Sequence, residues 1–135
     1  MAQIISIWSK FIDKVESNDD MQDSLYLISK SLLEISSNPK FNRISTGIES
    51  PVNHNAILKI MCKMLTNTNQ EIQSNAIKFL GSVLSQDEDE VVSELLFKEK
   101  ICDKLLKLTY SKSQPLVRHT LWTISNITAS GARSI

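Results

Sequence analysis

Glycine and proline are scarce, three of each in 135 residues, so the chain has few places to break a helix. Aromatic residues make up only 6 %, and Leu, Ile, Lys and Ser are abundant, a composition that favours helix throughout. There is no excess of charge: 15 basic and 15 acidic side chains cancel, which removes any broad electrostatic case for nucleic acid or an anionic membrane as partner. No apolar run approaches the ~18 residues of a membrane span. The opening MAQIISIWSKF lacks a basic region followed by an unbroken apolar core, so no secretory signal is expected. No glycine-rich phosphate loop appears, Cys62 and Cys102 have no local His or Cys at metal-ligand spacing, and His54 and His119 stand alone. The expectation is therefore a chain that is not an enzyme and uses no cofactor or metal. Both cysteines fall inside helical patterns and read as reduced core residues of an intracellular protein. The sequon Asn126-Ile127-Thr128, on a cytosolic helix, would not meet the glycosylation machinery.

What is present is a repeat. A shift of 44 residues pairs Ile57 with Ile101, Leu58 with Cys102, Met61 with Leu105, Cys62 with Leu106 and Met64 with Leu108. The same shift pairs Ile72 with Leu116, Ile77 with Leu121, Leu80 with Ile124 and Val83 with Ile127. Apolar residues meet apolar residues across two helices without a gap, and the period lies within the ~40–47 residues of armadillo or HEAT units. The first third follows less regularly, with Ile4, Ile5, Trp8 and Phe11 in the places of Ile57, Leu58, Met61 and Met64. Trp8 is expected to be a packing residue. Three units result, at about 1–38, 39–86 and 87–131, with helices near 2–16, 20–36, 53–66, 70–85, 89–97, 99–110 and 115–129. Asn18-Asp19-Asp20, Asn67-Thr68-Asn69 and Ser111-Lys112-Ser113 supply caps and turns. Pro39, Gly47 and Pro51 shape the connector after unit one. The acidic run 86–90 precedes Val91, Val92, Leu95 and Leu96, where it would offset a helix dipole.

The most distinctive stretch is LVRHTLWTISNITASG, Leu116 to Gly131. Leu116, Leu121, Ile124 and Ile127 mark one buried stripe, while Trp122 and Asn126 lie four apart on one face. An indole beside an amide suits an extended peptide, because the amide both donates and accepts and the ring flanks a long side chain. A packing Trp with a satisfied Asn is the competing use of the same pair.

The run Trp122-Thr123-Ile124-Ser125-Asn126-Ile127-Thr128-Ala129 resembles the third helix of an armadillo repeat in the importin alpha family of nuclear-import adaptors. Ala76-Ile77-Lys78-Phe79-Leu80-Gly81-Ser82-Val83 is similar to a middle repeat of that family. The resemblance implies an all-α, armadillo-type superhelix of about three repeats, found in cytoplasm and nucleus. It implies a concave groove that binds the basic nuclear localisation signal peptides of cargo proteins. Trp122 and Asn126 match that groove's Trp and Asn; Lys78 and Ser82 stand at the same places in unit two, and Tyr26 and Lys30 in unit one. Asp23 and Glu88 match its acidic residues, and His119 replaces another. The family's basic N-terminal segment is missing, so recruitment of the import carrier would need segments not seen here. A general armadillo or HEAT interaction scaffold without an import role is the second reading. The chain opens on a second helix and closes just past a third, so either a piece of a longer solenoid or a short gene product is expected, with uncovered apolar ends around Ile5, Trp8 and Phe11 and around Leu121 and Ile124, open to self-association.

Overall fold

The computed structural model describes residues 19–37, 51–85, 96 and 99–133. Five α-helices account for most of them: α1 (Asp19–Ser36), α2 (Pro51–Met64), α3 (Gln70–Leu84), α4 (Ile101–Thr109) and α5 (Gln114–Arg133). Among the described residues there is no strand. The helices expected near 2–16 and 89–97, with Trp8 on the first, lie outside the described residues, although Leu96 is half-buried against the core.

The central helix is α3, which packs against α1, α2 and α5, while α4 packs on α5. Its sequence explains the position. Ile72, Ala76, Ile77, Phe79, Leu80, Gly81, Val83 and Leu84 are all buried, too many for one stripe, so α3 needs neighbours on more than one side. From α2 come Leu58, Ile60, Met61, Cys62 and Met64, from α4 Ile101, Leu105 and Leu108, from α5 Leu116, and from α1 Leu25 and Leu32. Each such side chain contributes about 1.5–3 kcal/mol when fully withdrawn from water.

The 44-residue repeat reappears in the hydrogen bonds of the two turns that join α2 to α3 and α4 to α5. Asn67 N–H donates to Met64 O and Ser111 N–H to Leu108 O, both at 3.1 Å. Thr66 N–H reaches Lys63 O at 3.1 Å, and Tyr110 N–H reaches Lys107 O at 3.3 Å. Asn67 Oδ1 accepts from Asn69 N–H at 2.8 Å, as Ser111 Oγ accepts from Ser113 N–H at 3.2 Å. The first backbone bonds of the following helices, Gln73 N–H to Asn69 O and Val117 N–H to Ser113 O, also correspond. Asn and Ser are interchangeable here because each offers a short side-chain acceptor to an amide two residues on. Asn69 further caps α3 by accepting from Glu71 N–H at 2.9 Å.

Several boundaries differ from the sequence expectation. Pro51 opens α2 instead of preceding it, a position that suits proline because the first helical N–H has no partner within the helix. The fourth helix begins at Ile101, not 99, because Lys100 takes a left-handed φ of 49° that no α-helix continues through. Helix α5 runs past Gly131 to Arg133 where a stop at 129 was expected. Both cysteines are free, but only Cys62 is a core residue; Cys102 is exposed.

Candidate functional site

The sequence-selected residues fall into one seam and two outliers. Helix α3 carries Lys78 and Ser82, and α5 carries His119, Trp122 and Asn126, so the α3–α5 packing brings these five to one neighbourhood. Tyr26 and Asp23 lie on α1; Tyr26 is half-buried against the core and Asp23 is exposed. Glu88 lies outside the described residues.

At the middle of the seam is Gly81, which the sequence reading passed over. A Cβ placed there would overlap Cζ3 of Trp122, and would lie 2.8 Å from its Cε3 and 2.7 Å from Thr123 Oγ1. The indole therefore rests against the bare backbone of α3, with Trp122 still 42 % exposed. Asn126 Nδ2 donates to Gly81 O at 3.0 Å. Thr123, fully buried, points its hydroxyl at His119 O at 2.9 Å and at Ile77 O at 3.4 Å. The Trp-Thr-Asn face of α5 thus grips α3 through the one position where no side chain intervenes. A glycine inside a helix costs roughly 1 kcal/mol relative to alanine, and in a chain with three glycines that was the available signal.

A similar polar tie joins α1 to α3. Asn75 Nδ2 donates to Ser29 Oγ at 3.0 Å, and Ser29 Oγ donates to Tyr26 O at 2.8 Å. Neither Asn75 nor Ser29 stood out in the sequence, since both are common surface types.

The electrostatics of the seam are cationic. His119 has its pKa lowered from 6.5, first by burial and then by the positive charges of Lys78 and Arg118. An acidic residue at this place would have drawn a cationic ligand; the imidazole, held toward its neutral form, does not, and Lys78 and Arg118 beside it oppose one. Among the described residues, no three His, Cys, Asp or Glu side chains come together to hold a metal ion, and no helix is long and apolar enough to cross a membrane.

The site is thus a helix–helix seam between α3 and α5, in a structure that is helical, without strands, among the described residues. Residues 1–126 match the family model Npa1, Ribosome 60S biogenesis N-terminal, and the chain belongs to that family. No curated protein and no solved structure matches the chain.

This finding corrects the import reading. Membership of a 60S biogenesis family replaces the resemblance to importin alpha, and with it the adaptor function, the nuclear localisation signal peptides as partners and the import carrier. The structure supplies a physical reason for the misleading octapeptide. Trp122, Thr123 and Asn126 all have packing partners on α3, so helix packing accounts for these three residue types without a peptide ligand. Biogenesis of the 60S subunit is compatible with the expected nuclear location, while nothing supports the cytoplasmic one.

Proposed function

We propose that this chain serves 60S subunit biogenesis as a non-enzymatic docking unit, an armadillo-type solenoid of about three helical units near 1–38, 39–86 and 87–131. The family match over residues 1–126 carries the process. The mechanism is supported by the two turns whose backbone hydrogen bonds correspond and by the row α1, α3, α5, in which each side-by-side contact carries a polar tie. A stack of this kind presents an extended surface without needing a reacting group. The exposed part of the Trp122 ring, with Ser82, Lys78 and His119 beside it and Tyr26 and Asp23 on α1, is the surface for a segment of an assembling particle. Its cationic character suits a neutral or acidic segment.

The test is depletion of the protein followed by sucrose-gradient separation of ribosomal subunits. A fall in free 60S relative to 40S, reversed by the wild-type chain, is the expected result. An unchanged ratio in cells without the protein rejects the proposal.

A further inference from the structure

A depression of about 450 Å³ opens between the turn that follows α2 and the turn that follows α4, with walls from both hairpins. Leu65 and Leu108, both buried, supply its apolar lining, while Lys104, Lys107 and Tyr110 line it from the α4 side. The hydrogen-bonding groups around it are unevenly engaged. The carbonyls at this end of α2 and α4 already accept: Lys63 O from Thr66, Met64 O from Asn67, Lys107 O from Tyr110 and Leu108 O from Ser111. Leu65 O accepts from Gln73 Nε2 at 3.1 Å, which fixes the α3 wall. The donors are not engaged. Among the described residues, the Lys104 and Lys107 ammonium groups and the Tyr110 hydroxyl have no hydrogen-bond or ion-pair partner. Lys104 also departs from the repeat, since the residue 44 positions earlier is Ile60, 1 % exposed. Unit two packs an apolar side chain at this place, and unit three puts a half-buried cation there.

We propose that this depression binds an acidic segment of a partner protein, with carboxylates on Lys104 and Lys107 and an apolar side chain seated on Leu65 and Leu108. A ligand here must bring acceptors, because the groups that remain are donors, and it must bring an apolar part for the two leucines. Lys104 and Lys107 lie three apart on one helix face, with about 5–6 Å between Cβ atoms, so two carboxylates of one short segment can meet both. Each contact is a charge-assisted hydrogen bond. A nucleic-acid strand needs a basic track along its backbone. Here Asp103 shares α4 with the lysines, Glu99 precedes them and the whole chain is neutral, so the attraction is confined to the depression. The chain's own acidic run, 87–90, follows the far end of α3, about 17 Å of helix beyond Gln73. The site shares no residue with the Trp122 seam and goes beyond the docking surface proposed there.

The experiment is fluorescence anisotropy of a labelled peptide, Asp-Glu-Leu-Glu-Asp flanked by Gly and Ser, titrated with the full chain at low ionic strength. Saturable binding is expected, weakened about tenfold or more by Lys104→Gln combined with Lys107→Gln. Lys112→Gln removes a nearby exposed charge outside the depression and should change the affinity by less than about twofold. Alanine in place of the peptide leucine should weaken binding several-fold, and amides in place of its carboxylates should abolish it. Circular dichroism separates loss of the site from loss of the fold. Should the double variant unfold, Lys107→Glu alone, at an exposed position, must weaken binding several-fold. The proposal is overturned if the peptide does not bind, if the amide peptide binds as well, or if Lys112→Gln weakens binding as much as the lysine pair. Binding that appears only after Asp87, Glu88, Asp89 and Glu90 are replaced by Asn and Gln also overturns it, since the chain's own run would then be the occupant. Oligouridylate binding more tightly than the peptide, and lost in the double variant, would refute it in favour of a nucleic-acid site.

Discussion

Replacing Gly81 with alanine sets two large effects against each other. In an isolated helix the change should stabilise by about 1 kcal/mol, since alanine is the better helix former. Against that, the new Cβ overlaps the Trp122 ring and lies 2.7 Å from Thr123 Oγ1. Overpacking of this kind costs typically about 1–3 kcal/mol. The indole can swing outward because it is already partly exposed, at the loss of its packing on α3. Thr123 has less freedom, being buried and bonded to His119 O. If α5 moves away instead, the bond from Asn126 to Gly81 O stretches, at roughly 0.5–1.5 kcal/mol. Clash and bond together outweigh propensity, so Gly81→Ala should destabilise by about 0.5–3 kcal/mol. Urea denaturation followed by circular dichroism measures this directly, and a double-mutant cycle gives its cause. In a Trp122→Ala background the penalty should shrink by about 1 kcal/mol or more, because two of the three close approaches vanish. Stabilisation of the wild type by Gly81→Ala, or the same change in both backgrounds, would refute the seam as described.

Other consequences follow from the same geometry. Asn126→Ala should lower stability by about 1 kcal/mol, and Asn126→Asp by more, since a carboxylate would then face the Gly81 carbonyl; chemical denaturation distinguishes them. Asn69→Ala removes the cap on Glu71 N–H and should cost about 0.5–2 kcal/mol by the same assay. The lowered His119 pKa means that the unfolded chain binds its proton first. The contribution of His119 is therefore fully present above pH 6.5, its ordinary value, and is lost as pH falls from there through the folded pKa. Melting curves across that range should fall less steeply for His119→Gln than for wild type; parallel curves would contradict the assignment.

How much of this was legible in the sequence depended on which force was acting. The 44-residue apolar spacing placed α3 and the hairpin turns well, because burial repeats with the stack and the short polar acceptors at 67 and 111 serve both turns. The uncovered face around Leu121 and Ile124 was expected from the repeat, and Leu121 is exposed there; that Cys102 would be exposed was not, since Leu58 and Cys102 look equivalent along the chain and differ only in what lies over them. Helix ends escaped for local reasons, the left-handed Lys100 and the proline that begins α2. Trp122 and Asn126 were singled out as a pair on one face, but the octapeptide alone could not show that both were turned on Gly81. Their partner on α3, the buried Thr123 and the Asn75–Ser29 tie carry no sequence motif.

The claim at the centre is that the chain belongs to 60S assembly and not to nuclear import. Its most direct test is the sedimentation of a tagged, endogenously expressed chain, with the RNA of each fraction probed. Migration with 60S precursors, alongside precursors of the large-subunit RNA, is the result expected of a member of this family. A chain that stays in the light fractions bound to import carrier and Lys/Arg-rich cargo would contradict it.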